Sequence, residues 1–213
     1  MVKSPSFVVR GLKLISTETD SPSFRRAWRS RGAVSFGVLE SGLQIVLSAA
    51  SDYRAVATSA VRDSRNRREF LRAAKEVLGF PVRLLSGTEE AETIFAGVTA
   101  GPRWRGKDVF ILDIGGGSAE WVQGRHGKME KRISLPLGAV RMRERFLHSY
   151  PVAPDTAGLL VETIRGQIAH SLAHYSLGSR RLVGTGGTIT CLVAIQKKLA
   201  HFDPRKVDHA SLT

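Results

Sequence analysis

The chain alternates short apolar blocks with longer stretches in which apolar residues recur every three or four positions. The blocks at 55–58, 82–85, 109–112 and 133–135 read as strands. Ala119-Glu-Trp-Val122 resumes a strand-like pattern shortly after the third block, which predicts a hairpin around the residues between them. Helical spacing links Phe70, Ala73, Ala74, Val77 and Leu78, with Asn66 and Glu69 marking a start and Gly79 followed by Pro81 a stop. It recurs at Ala91, Ile94, Phe95 and Val98, preceded by the capping box of Ser86 and Glu89. Further helices are predicted over 138–148 and over 155–175, where Leu160, Ile164, Ile168 and Leu172 are spaced by four. Arg181-Leu-Val and then Ile189-Thr-Cys-Leu-Val-Ala-Ile195 predict a last strand and helix. Such alternation predicts an α/β fold. The turn-rich Gly101-Pro-Arg-Trp-Arg-Gly106 suggests a crossover between two α/β domains, residues 1–105 and 106–213.

Two of the predicted turns carry chemistry. In Asp113-Ile-Gly-Gly-Gly-Ser118-Ala-Glu120, Asp113 stands at the C-terminal end of a strand. Gly115, Gly116 and Gly117 let the backbone turn tightly and bring its N–H groups against an anion, and Ser118 can add a hydroxyl donor. A hairpin here returns Glu120 towards Asp113, and two acids beside an anion-binding turn suit a hard divalent cation such as Mg²⁺. A plain hairpin is the competing reading. A dinucleotide fingerprint fits poorly, because its glycines open a helix and here a strand follows, and no P-loop run exists in the chain. The second turn, Gly184-Thr185-Gly186-Gly187-Thr188, precedes a helix whose first N–H groups would face an anion, or it is simply a tight strand-to-helix turn. Glu90 and Glu92 fall on other faces of the first turn of their helix than Glu89, and on spacing alone they complement the helix dipole.

Five motifs occur in one order: Thr58-Ser-Ala-Val-Arg62-Asp, Ser86-Gly-Thr-Glu-Glu90-Ala, the Asp113 to Glu120 run, Leu137-Gly-Ala-Val140 and Gly184-Thr-Gly-Gly-Thr188. In this they resemble the exopolyphosphatases and guanosine pentaphosphate phosphohydrolases, the Ppx/GppA family. The resemblance covers residues 54–212 well and 1–53 faintly. It implies the actin/Hsp70/sugar-kinase (ribonuclease H-like) superfold, with two α/β domains around a cleft. It further implies Glu90 as the general base that activates water, and Asp113 and Glu120 as the acids that organise Mg²⁺. The phosphate-holding positions it implies are Gly115, Gly116, Gly117, Ser118, Gly184, Thr185, Gly186, Gly187 and Thr188. Arg62 resembles a substrate-facing arginine, and a solvated helix-start arginine is the equal alternative. The expected activity is hydrolysis of a terminal phosphoanhydride in polyphosphate or guanosine pentaphosphate, the latter a link to the stringent response. Family members begin with Asp-x-Gly-Ser-Asn-Ser, whereas this chain has Met1 at the Asp position and Lys3 at the Gly position, with Pro5 beside them. Relatives also continue with several helices beyond the position of Thr213, so a chain shortened at both ends is the expectation. The rival readings are a catalytically impaired binder of polyphosphate or alarmone and a phosphotransferase of the same superfold.

Composition sharpens the partner. Thirty-two Lys and Arg against nineteen Asp and Glu give a net charge of +13 over 213 residues. The excess gathers at Arg25, Arg26, Arg29 and Arg31, at Arg62, Arg65, Arg67, Arg68 and Arg72, and at Arg141, Arg143 and Arg145. Clustered basic charge attracts polyanions. No zinc-finger spacing or RNA-binding signature points to a specific nucleic acid. The single Cys191 excludes a disulfide framework and reads as a core thiol in an apolar helix. His170 and His174 are four apart, as a helical zinc pair would be, but without a third ligand they read as a surface pair. The sequence shows no signal peptide or spanning segment, so no membrane association and a cytoplasmic location are expected. A homodimer is compatible with all of these features.

Overall fold

The computed structural model describes residues 55–212. The readings made on Met1, Lys3 and Pro5 and on the first arginine cluster lie outside the described residues. The chain divides into two compact units between Ser86 and Gly87.

In the first unit, β1 (Ala55–Ala57) and β2 (Val82–Leu84) pair in parallel, joined through α1 (Ser59–Arg62) and α2 (Arg67–Leu78). Parallel neighbours need such a crossover. The apolar face read from the sequence packs as expected, with Phe70, Ala74 and Leu78 against Ala55 and Val61. Helix α2 stops where Gly79 takes a left-handed conformation (φ 76°) and donates its N–H to Lys75 O at 2.9 Å. At its other end Asn66 occupies the N-cap position without making a side-chain cap.

The second unit runs α3 (Gly87–Ala100), β3 (Val109–Ile114), β4 (Ala119–Arg125), β5 (Lys128–Leu135), α4 (Ala139–Phe146), α5 (Pro154–Ser171), β6 (Arg181–Thr185), α6 (Gly186–Gln196) and α7 (Pro204–Val207). Its sheet has the order β5-β4-β3-β6, with β3, β4 and β5 antiparallel and β6 parallel to β3. An antiparallel meander extended by a parallel strand after a helical crossover gives the mixed α/β sheet that the resemblance implies.

Side chains alternate between the two faces of this sheet. One face buries Phe110, Trp121 and Leu135 under Met142 of α4 and Leu160, Ile164 and Ile168 of α5. The other buries Val109, Ile111 and Val122 under Ala91 and Phe95 of α3. Helix α3 is therefore part of the sheet-bearing unit. Gly124 has no side chain for a reason: a Cβ there would lie 2.4 Å from Phe95 Cε2.

Three elements differ from the sequence expectation. Strand β5 starts at Lys128, five residues before the apolar block at 133–135, because a two-residue turn at His126 and Gly127 (φ 52° and 74°) closes a second hairpin. Its first half is polar because it lies at the sheet edge. Helix α5 ends at Ser171, and Tyr175 beyond it packs edge-on against Phe110 at 6.2 Å. Cys191 is exposed on α6, not buried in a core. Among the described residues no helix is long and apolar enough to cross a membrane.

Candidate active site

Four residues in register form a polar row across the sheet: Ser134 on β5, Glu120 on β4, Asp113 on β3 and Thr185 on β6. Residues directly opposite one another share a face. By alternation from Val109 and Ile111 this is the face covered by α3. The two outer hydroxyls turn inward. Ser134 Oγ donates to Glu120 Oε1 at 2.7 Å, and Thr185 Oγ1 donates to Asp113 Oδ2 at 2.5 Å. The two carboxylates sit side by side between them.

Helix α3 brings a third acid. Its first residue is pressed onto the row, since a Cβ on Gly87 would lie 2.6 Å from Ser134 Oγ. Glu90, in the first turn of α3, is near enough for its charge to act on Glu120. Glu120 is 1% exposed, and its carboxyl is pushed up to about 7. Burial is the main cause, the negative charges of Glu90 and Asp113 add to it, and hydrogen bonds from Ser134 and Ser118 oppose it. Burial likewise raises Asp113 above its ordinary value against the hydrogen bond from Thr185. Glu92, read from spacing as a dipole complement, pairs instead with Arg132 on β5 at 2.6 Å.

The glycine turn after β3 is fixed from one side. Gly115 N–H closes it on Ser118 O at 3.0 Å. The start of α4 then takes up its carbonyls: Ala139 N–H donates to Gly115 O at 2.9 Å, Arg141 N–H to Gly116 O at 3.0 Å, and Arg141 Nε to Gly117 O at 2.7 Å. The C=O and the following N–H of a trans peptide point in opposite directions. The N–H groups of Gly116, Gly117 and Ser118 are thereby turned away from α4.

The second glycine turn lies beside the first because β6 pairs with β3. Gly186 (φ 85°) crosses directly over the acid, and a Cβ there would lie 2.7 Å from Ile114 O and 2.9 Å from Asp113 Oδ1. Thr185 is the N-cap of α6, but its hydroxyl is committed to Asp113 and caps none of the helix's first N–H groups.

The structure thus brings together Glu90, Asp113, Glu120 and both glycine turns within the second unit. Arg62 belongs to the first, where Nη1 donates to Leu85 O at 2.8 Å. The sequence reading missed Ser134, which sits at the C-terminal end of a strand opposite Glu120 and is visible only once the β4–β5 register is known. It counted Arg141 only as a member of a basic cluster, whereas that side chain is tied to the glycine turn.

Among the described residues no three His, Cys, Asp or Glu side chains are grouped to hold a metal by themselves. Mg²⁺ needs only one or two carboxylates, completing its shell with water and phosphate oxygens. Asp113 and Glu120 fit that requirement, as desolvated neighbouring acids whose ionised forms would gain from an added positive charge.

The Ppx/GppA phosphatase family pattern matches residues 46–209. Exopolyphosphatase 2 of Mycobacterium tuberculosis is 34% identical over 156 residues, which are 70% of this chain and 49% of that protein. The chain therefore spans about half the length of the curated relatives it matches. An exopolyphosphatase-like protein of known crystal structure superposes with a TM-score of 0.69 at 29% identity, over 75% of this chain and 52% of that one. The Aquifex aeolicus Ppx/GppA family member superposes with a TM-score of 0.64 at 28% identity, over 86% and 61%. With the family pattern matching residues 46–209, most of its length, the chain belongs to the Ppx/GppA phosphatase family.

Proposed function

We propose that this chain carries the hydrolytic site of an exopolyphosphatase-like enzyme, which removes a terminal phosphate from inorganic polyphosphate or from guanosine pentaphosphate. The observation that carries the reading is that the charges of Glu90 and Asp113 both act on buried Glu120, beside a glycine turn whose N–H edge faces away from the helix that holds its carbonyls.

The residues divide the work by their chemistry. The N–H groups of Gly116, Gly117 and Ser118, with those at the start of α6, hold phosphate oxygens without side chains intervening. Asp113 and Glu120 would hold a Mg²⁺ ion, whose charge offsets that of the phosphoryl oxygens. Thr185 and Ser134 keep those two carboxylates from rotating. Glu90 accepts a proton from the water whose oxygen bonds to the terminal phosphorus, the bridging P–O bond breaks, the shortened chain leaves with the bridging oxygen, and the terminal group departs as inorganic phosphate. Polyphosphate is the favoured substrate class because a linear polyanion uses the positive charge along the chain.

Phosphate release from tripolyphosphate tests the reading. Glu90→Gln is expected to lower turnover by about 10²- to 10⁴-fold, the usual share of general-base catalysis, with little change in affinity. Asp113→Asn is expected to raise the Mg²⁺ concentration needed instead. Equal metal dependence in both variants contradicts these roles. Binding of tripolyphosphate without any phosphate release identifies a binder built on the same site.

A further inference from the structure

We propose that Arg141 is a positioning residue, which fixes the glycine turn so that the N–H groups of Gly116, Gly117 and Ser118 converge on a single phosphoryl group. The inference rests on the phosphate-binding reading of that turn and adds the part that holds its shape.

Three glycines in a row give a turn little stiffness of its own, since glycine restricts backbone torsions least. Yet an oxyanion site works only if its donors are fixed before the charge arrives. The rigidity here comes from elsewhere in the chain. Arg141 contributes twice, with its main-chain N–H on Gly116 O at 3.0 Å and its Nε on Gly117 O at 2.7 Å. These are adjacent carbonyls, so both intervening peptide planes are set by one residue, and their reverse edges carry the Gly117 and Ser118 N–H groups. Close packing seals the arrangement. A Cβ on Gly138 would lie 2.3 Å from Gly116 O, and one on Gly116 would touch Val140 Cγ2 at 3.4 Å. Met142, the next residue along α4, is buried in the core under the sheet and anchors the helix. Arg143 and Arg145 on the same helix are exposed, Arg145 with its guanidinium 5.1 Å from the centre of the Phe146 ring.

The distinction between holding the turn and attracting the anion is testable, because glutamine places Nε2 at the same point along the side chain as arginine places Nε. Arg141→Gln keeps a donor for Gly117 O and removes the charge. Arg141→Met reaches the same point as glutamine and removes both. Binding of sodium tripolyphosphate to the full chain is measured by calorimetry at low and high salt, alongside the amide resonances of Gly116, Gly117 and Ser118 in the free protein. Arg143→Ala serves as the control for loss of charge alone.

Arg141→Met is expected to weaken binding at both salt concentrations by about 10- to 100-fold, the range for a lost hydrogen bond to a charged group, and to shift the three amides. Arg141→Gln is expected to bind at high salt as the parent does, with those amides in place. Equal losses in the Gln and Met variants, matched by Arg143→Ala and vanishing at high salt, would reduce Arg141 to a surface charge and overturn the proposal. If the parent chain binds no tripolyphosphate, the phosphate reading of the turn fails, and the amides still decide whether Arg141 holds it: unmoved resonances in Arg141→Met overturn that too.

Discussion

Glu120 shows how a single residue can be costly to the fold and useful to the site. Its carboxyl rises from an ordinary 4.5 to about 7 on folding, so the folded chain binds a proton more tightly than the unfolded chain does. The sign follows from linkage: stability is greatest below the unfolded value and is lost as pH rises from 4.5 through about 7. A rise of that size corresponds to about 3 kcal/mol when the group is fully ionised. Glu120→Gln, which imitates the protonated form, is therefore expected to stabilise the metal-free chain at pH 8 and to have little effect near pH 4. Urea unfolding at the two pH values measures this, and an equal gain at both would mean that burial of charge is not the cause. Asp113 contributes in the same direction, because its shift is also upward and also caused by burial.

At the scale of elements, most of the architecture was legible as periodicity. The apolar blocks gave β1, β2, β3 and β6, and the spacing by three and four gave α2, α3 and α5, because those helices pack one face against a core, only partly buried in α5, and leave the other wet. The first half of β5 was illegible for the opposite reason: Lys128, Glu130, Lys131 and Arg132 lie on an edge strand, where burial imposes no pattern. Both acids and both glycine turns of the site could be read locally, as they stand at strand ends. Ser134 and the loop contacts of Arg141 could not, since they depend on which strand and which helix lie alongside. Gly138 belongs to the same class and yields a prediction. Gly138→Ala is expected to cost about 1–3 kcal/mol, as overpacking against fixed backbone does, and to weaken tripolyphosphate binding. Gly187→Ala, where nothing lies within 4 Å of the added carbon, is the matched control and is expected to leave stability unchanged. Thermal melts of the two variants decide the point.

For the whole molecule, the net charge of +13 acts beyond any one contact. Arg65, Arg67, Arg68 and Arg72 are all exposed on the first unit, as are Arg143 and Arg145 on the second. Raising ionic strength from about 0.01 to 1 M shortens the screening length from about 30 to 3 Å. Affinity for long polyphosphate is expected to fall steeply over that range, while the part due to the glycine turns persists, so long and short chains bind more alike at high salt. Titrations with tripolyphosphate and a long-chain polyphosphate at several salt concentrations measure the difference, and a salt-independent preference for long chains would contradict it. The register of β6 against β3 has a kinetic consequence. Asp113 and Thr185 are 72 residues apart, and the meander and two helices intervene before their strands can pair. Closing so long a stretch of chain costs entropy before the contact repays it, so this pairing is expected late in folding. A phosphate that needs both turns finds nothing to grip until β6 has docked, so it cannot hasten refolding. It is expected to act on the other limb, slowing unfolding of the finished structure, which unfolding rates with and without tripolyphosphate measure.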